Sequence, residues 1–258
     1  MNALIGDIGN TTTKICLIEL KNYSIKKLIY FNSKDICSTK FLKEKFKQII
    51  KKNSIKKKSL FSSVVPKYQK ILKKFLKKNY NIELKEIKEK SFNKIVKIKI
   101  KNKKQVGSDR IANAVGVYRN YKMNCIVLDF GTATTFDVIT KNGVYNGGII
   151  APGLNLSLRS LVSSADQLPL FSIKKQKKII GKNTIEALRS GFYWGYTGLI
   201  NNIILKIEKE THKKYKIIFT GGYAKIFKTS IIRRFTIDKN ITIKGIIEIF
   251  KENRNYLY

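Results

Sequence analysis

Asp7-Ile8-Gly9-Asn10-Thr11-Thr12-Thr13-Lys14 lies between two apolar segments, Ala3-Leu4-Ile5 before it and Ile15-Cys16-Leu17-Ile18 after it. β-prone residues on both sides of a Gly/Asn/Thr turn read as a strand–turn–strand hairpin. About 120 residues later the pattern returns. Cys125-Ile126-Val127-Leu128 leads into Asp129-Phe130-Gly131-Thr132-Ala133-Thr134-Thr135 and on to Phe136-Asp137-Val138-Ile139. Two copies, each opening one half of the chain, suggest a duplicated fold whose halves face each other. The expectation is an α/β fold of two domains, residues 1–120 and 121–258, with one hairpin in each.

The rest of the chain suits two α/β halves. Helical spacing runs over 39–52 (Phe41, Leu42, Phe46, Ile49, Ile50), and Leu60 to Val65 reads as a buried strand ended by Pro66. Tyr68 to Leu76 resumes a helical period, while Lys94 to Ile100 alternates Ile/Val with Lys like a half-exposed strand. Asp109 to Tyr118 predicts a helix with Ser108 or Asp109 as its N-cap. Gly147-Gly148-Ile149-Ile150-Ala151-Pro152-Gly153 predicts a tight connection into a helix from about Leu154 to Ala165. Thr184 to Lys209 predicts a helix whose Gly191, Gly195 and Gly198 allow close packing, and Ile217 to Gly222 a strand feeding a glycine turn.

With 258 residues and 43% hydrophobic content, the chain can bury a sizeable core and is not disordered. Three separated cysteines, Cys16, Cys37 and Cys125, exclude a disulfide framework and point to a reducing, cytoplasmic setting. No apolar run approaches a membrane span, and Asp7 interrupts the place a signal peptide would need. The net charge is +36, almost all of it lysine in plain runs accompanied by Ile and Asn. Specific nucleic-acid readers lean on arginine and interleaved aromatics. A solvated basic surface of compositional origin is therefore expected, with no specific nucleic-acid partner and no membrane partner.

Only seven aspartates occur, and Asp7, Asp109, Asp129 and Asp137 are read as lying in or beside glycine-rich turns. Glycine lets backbone approach an anion closely, and Asn10, Thr11, Thr12, Thr132, Thr134 and Thr135 offer donors to phosphate oxygens. A carboxylate beside bound phosphate makes sense when a cation, usually Mg²⁺, bridges them. One such hairpin alone would be an ordinary Asx turn; the pair suggests a phosphate clamp. Neither a Walker A loop nor a dinucleotide G-x-G-x-x-G is present, and the lone histidine, His212, sits in a polar stretch as a surface residue. In Gln105-Val106-Gly107-Ser108-Asp109-Arg110, Asp109 could simply cap a helix. The adjacent arginine supplies a fork for a substrate carboxylate, which would leave Asp109 to accept a hydroxyl proton.

These segments, with Ser63-Val64-Val65-Pro66 and Gly181-Lys182-Asn183-Thr184, resemble the type III pantothenate kinases in content and order, from residue 4 to about 222. The resemblance implies two ribonuclease H-like domains of the actin-like ATPase superfamily, a homodimer, and ATP-dependent phosphorylation of pantothenate toward coenzyme A. It implies that Asp7 to Lys14, including Ile8, Gly9 and Thr13, bind ATP together with Thr132. Gly107, Ser108, Asp109, Arg110 and Thr184 would contact pantothenate, with Asp109 as general base. Asp129 would bind the monovalent cation, K⁺ or NH₄⁺. The family's usual Tyr and Pro upstream of the Gly-x-Asp-Arg segment are replaced here by Ile100 and Lys103. A kinase of another substrate within the same superfamily and a nucleic-acid-binding regulator are the rival readings.

Overall fold

The computed structural model describes residues 1–50, 54–89, 94–165 and 167–254. In chain order the elements are β1 (Asn2–Ile8), β2 (Thr12–Glu19), β3 (Ile25–Asn32), α1 (Thr39–Ile50), β4 (Lys58–Ser63), α2 (Pro66–Tyr80), β5 (Glu83–Glu86), β6 (Lys97–Ile98) and α3 (Ser108–Tyr121). They continue with β7 (Cys125–Phe130), β8 (Ala133–Ile139), β9 (Val144–Pro152), α4 (Leu154–Ser163), α5 (Thr184–Thr211), β10 (Lys216–Gly221), β11 (Phe235–Ile237) and α6 (Ile241–Glu252). Contacts divide the chain into two compact units. Unit 1 holds residues 1–122, 142–145 and 240–258; unit 2 holds 123–141 and 146–239.

In unit 1 the strand order is β3-β2-β1-β4-β5, antiparallel across β3, β2 and β1 and parallel across β1, β4 and β5. In unit 2 the order β11-β10-β7-β8-β9 repeats that plan: β7 pairs antiparallel with β8 and parallel with β10, which pairs parallel with β11. Each unit is thus a ribonuclease H-like fold, and the topology is duplicated. The central position of β1 and β7 explains their composition. A strand covered on both faces reads as a continuous apolar run, and every residue of β1 is buried. Each unit has its own core, around Leu4, Phe46, Phe61 and Leu76 in unit 1 and around Phe130, Tyr193, Phe219 and Phe227 in unit 2.

Local chemistry accounts for several boundaries. Pro66 opens α2 at a position where its missing N–H costs nothing, and Asn81 closes it in the left-handed region at φ 52°. His212 is exposed and closes α5 in the same way. Within unit 1, α6 packs on α3 at backbone distance, and the Thr242 hydroxyl donates to Asn113 Oδ1 at 2.8 Å.

Four expectations need correction. The strand over Lys94 to Ile100 shrinks to Lys97–Ile98, which pairs only with Val144 and Tyr145. The Lys/Ile alternation around it has no longer ladder to join. Gly147 and Gly148 lie inside β9 rather than in a connection, with Gly147 at φ 106°. Asp137 sits fully buried within β8, opposite Val127, away from any glycine turn. Gly191, Gly195 and Gly198 are exposed, and nothing described lies within 4 Å of a Cβ added at any of them, so they serve no packing inside the described chain. Helix α1 accounts for 39–50 of the expected 39–52; residues 51 and 52 lie outside the described residues.

Candidate active site

In unit 1 the carboxyl ends of β1 and β4 lie side by side. Strand register sets Asp7 opposite both Lys14 and Ser62, and Ile8 opposite both Thr13 and Ser63. Asp7 is 8% exposed and Ile8 wholly buried, whereas Asn10, Thr11 and Thr12 at the tip are open to solvent. The hairpin closes with a hydrogen bond from Gly9 N–H to the Thr12 carbonyl, 3.1 Å. The carboxylate is therefore set in the floor while hydroxyls and backbone amides occupy the rim, a disposition suited to phosphate.

A residue not singled out in the sequence holds this hairpin. Ser33, fully buried just after β3, contacts Gly9, Thr11 and Thr13. Asn-Ser-Lys-Asp reads as a plain turn, and nothing in it signals a contact more than twenty residues back.

Helix α3 begins at the same strand ends. The Ser108 hydroxyl donates to the Ser63 carbonyl at 3.0 Å, fastening the helix to the last residue of β4. The N-cap is Gly107, without a side-chain cap bond, so neither Ser108 nor Asp109 caps the helix. Ser108 is engaged with Ser63, and Asp109 Oδ1 accepts from the Arg110 N–H at 2.8 Å. A Cβ at residue 107 would lie 2.5 Å from Asp109 Oδ1, so glycine leaves the carboxylate room to fold back.

Burial pushes the Asp109 carboxyl above the ordinary carboxylate range, opposed by the Arg110 N–H, the Arg110 guanidinium and, more weakly, Lys88. The Arg110 guanidinium carbon lies 5.9 Å from the centre of the Tyr145 ring, both in unit 1. Glu86, buried at the end of β5, is likewise raised by burial, opposed by the Lys88 N–H, 2.7 Å from Oε2. Ile100 and Lys103 belong to the approach to α3, where Lys103 opens a short 3₁₀ turn capped by Asn102.

In unit 2 the second hairpin joins β7 to β8, closed by Gly131 N–H on the Ala133 carbonyl, 3.1 Å. Asp129 is half-buried and Thr132 exposed at the tip. Phe130 anchors the turn by stacking on Phe227 at 5.5 Å and meeting Phe219 edge-on at 5.2 Å. From β10, Gly221 at φ 83° approaches so closely that a Cβ would lie 2.6 Å from the Phe130 carbonyl oxygen and 2.7 Å from Asp129 Oδ1. Only glycine fits there, against the Phe130 amide nitrogen and carbonyl oxygen and the Asp129 carboxylate. Gly153, before α4, abuts the Thr132 carbonyl, 2.1 Å from where its Cβ would be.

Thr184, also in unit 2, is exposed at the first turn of α5. Asn183 caps that turn by accepting from the Glu186 N–H at 2.9 Å, and Glu186 in turn accepts from the N–H of Lys182, the residue before the cap, at 2.9 Å. Unit 1 thus gathers Asp7 to Lys14 and Gly107 to Arg110 at one end of its sheet; Asp129, Thr132 and Thr184 belong to unit 2. Among the described residues no three His, Cys, Asp or Glu side chains cluster as a metal site.

The family model for type III pantothenate kinase matches residues 3–206. A type III pantothenate kinase of Pelagibacter ubique (strain HTCC1062) is 51% identical over 244 residues, covering 95% of this chain and 96% of its own. Among solved structures, a conserved Campylobacter jejuni protein provisionally assigned to the Baf family of transcriptional activators is similar with TM-score 0.62 and 22% identity, covering 98% and 99% of the two chains. A Sinorhizobium meliloti protein provisionally assigned as a 2-dehydro-3-deoxygalactonokinase is similar with TM-score 0.63 and 5% identity, covering 97% and 96%. These last two likenesses concern the fold.

Proposed function

Because the chain belongs to the type III pantothenate kinase family, we propose that Asp109 is the base that removes the proton from the hydroxyl of pantothenate. The reaction itself, transfer of phosphate from ATP to pantothenate, is the first step of coenzyme A biosynthesis. Asp7, Ile8, Gly9, Asn10, Thr11, Thr12, Thr13 and Lys14 hold ATP, joined by Thr132. Gly107, Ser108, Arg110 and Thr184 hold pantothenate, with the Arg110 fork on its carboxylate.

The observation that carries this reading is the fastening of α3 to β4 through Ser108 and Ser63. It sets a carboxylate with a raised pKa at the strand ends that also carry the first hairpin. A base with a pKa lifted toward the working pH accepts a proton more effectively than an ordinary aspartate. Positioning and charge neutralisation supply most of the remaining acceleration, as in other phosphoryl transfers. Mg²⁺, when bound with ATP, neutralises phosphate charge, and Asp7 is the carboxylate suited to hold it. A monovalent cation, K⁺ or NH₄⁺, takes Asp129 as its anionic ligand on this reading, with the Phe130 carbonyl oxygen nearby at Gly221.

A homodimer and a cytoplasmic location belong to the same proposal. Two chains of net charge +36 repel wherever lysines meet. Helix α5 carries no charged residue between Arg189 and Lys206, and its Gly191, Gly195 and Gly198 are exposed with space above them. Exposed Ile179 and Ile180 flank it, through the Ser190 hydroxyl on the Ile179 carbonyl and the Trp194 indole N–H on the Lys178 carbonyl. A second copy is the partner that such a neutral, close-approach face suits. Free cysteines at 16, 37 and 125 agree with a reducing compartment.

The test is ADP release by purified protein with ATP and pantothenate, in potassium and in sodium. Turnover with pantothenate, and loss of most of it in sodium, is expected. Phosphorylation of acetate or hexoses but not pantothenate would overturn the substrate, and indifference to sodium would overturn the role of Asp129.

A further inference from the structure

The first hairpin is shaped from below by Ser33. Its hydroxyl lies 2.6 Å from the Gly9 carbonyl oxygen and 2.9 Å from Thr13 Oγ1, and its backbone N–H lies 2.9 Å from the Thr11 carbonyl oxygen. Proton bookkeeping settles the directions. A serine has one O–H, and a carbonyl can only accept, so the Ser33 proton goes to Gly9. Thr13 must then donate to Ser33 Oγ. The relay runs Thr13 O–H to Ser33 Oγ, and Ser33 O–H to Gly9 C=O, with both hydroxyl-bearing residues wholly buried.

The consequence lies on the other side of the peptide plane. Among the described residues no peptide bond is cis, so the Gly9 carbonyl and the Asn10 N–H point in opposite directions. Drawing that carbonyl toward Ser33 turns the Asn10 amide away from it, at the exposed tip. The Ser33 N–H holds the Thr11 carbonyl as well. Two carbonyl oxygens, each repulsive to an anion, are thereby kept on the Ser33 side.

We propose that Ser33 is a positioning residue for the nucleotide: it withdraws the Gly9 and Thr11 carbonyls and so presents the Asn10 amide to a phosphate oxygen of ATP. The inference rests on the reading of residues 7–14 as the ATP hairpin.

Steady-state kinetics of Ser33→Ala, Thr13→Val and Asn10→Asp test it. Ser33→Ala should raise KM for ATP about tenfold, equivalent to 1.4 kcal/mol, and leave KM for pantothenate within about twofold. Thr13→Val keeps the Ser33–Gly9 bond and should raise KM for ATP only about threefold. A merely structural role would reduce the folded fraction, lowering apparent kcat and sparing both KM values; that result overturns the proposal, as does equal weakening of ATP and pantothenate. Asn10→Asp, isosteric and exposed, adds a negative charge at the tip and controls for the premise. Unchanged KM for ATP there would remove the hairpin reading and the proposal with it. A raised KM there with Ser33→Ala at the wild-type value would remove the Ser33 role alone.

Discussion

A carboxylate that takes a proton during catalysis works only in its ionised form, and the environment of Asp109 makes that form costly. Burial raises its pKa, while the Arg110 N–H and guanidinium pull the other way. The dependence on pH has a definite sign. Turnover should fall as pH drops through a kinetic pKa lying above the ordinary aspartate value of about 3.9, and the acidic limb should vanish in Asp109→Asn. Stability runs oppositely. A folded-state pKa above the unfolded one contributes stability that is complete below the unfolded pKa and is lost as pH rises through the folded one. At neutral pH the ionised group is a burden. Asp109→Asn, which keeps the oxygen that accepts from Arg110 N–H, should melt at or above the wild-type temperature there, with the gap closing in acid. Melting well below wild type at neutral pH would show that the carboxylate is stabilising after all.

Elements carry the site through how closely they pack. Helix α3, which carries Asp109 in its first turn, lies against α6 so tightly that a Cβ at Gly245 would fall 1.8 Å from the Ala112 carbonyl oxygen. Gly245→Ala must push the helices apart, and should destabilise the protein by about 1–3 kcal/mol or more, read as a lowered melting temperature. Gly195→Lys makes the opposite case, since the space above Gly195 is empty within the described chain. It should keep the melting transition of each chain but yield monomers by light scattering; an unaltered dimer would place the interface elsewhere.

Legibility in the sequence follows the range of the causes. Both hairpins stand out because their turn chemistry is local and their strands, central in each sheet, are continuously apolar. Ser33 does not, because its partners are distant in sequence; α6 carries no sequence reading although its period was there to find, with Lys244, Glu248 and Lys251 at helical spacing among buried isoleucines. The glycines of α5 were legible as a close-approach surface, but not as one turned outward.

At the scale of the whole molecule, charge and topology make separate statements. The duplicated strand order supports a kinase fold regardless of surface composition. The +36 charge predicts solubility and nonspecific attraction to polyanions. Binding to duplex DNA should be independent of sequence and fall by about 10³-fold or more between 50 and 200 mM salt. Tight, sequence-selective binding at physiological salt would instead favour a regulatory role.

Catalysis centres on a proton taken by one aspartate, and the rate of ADP formation by Asp109→Asn at saturating ATP and pantothenate, with the Kd for ATP measured alongside, tests this most directly. A fall in kcat of about 10²–10⁴ with ATP affinity retained is the predicted result. Turnover within about threefold of wild type would contradict it.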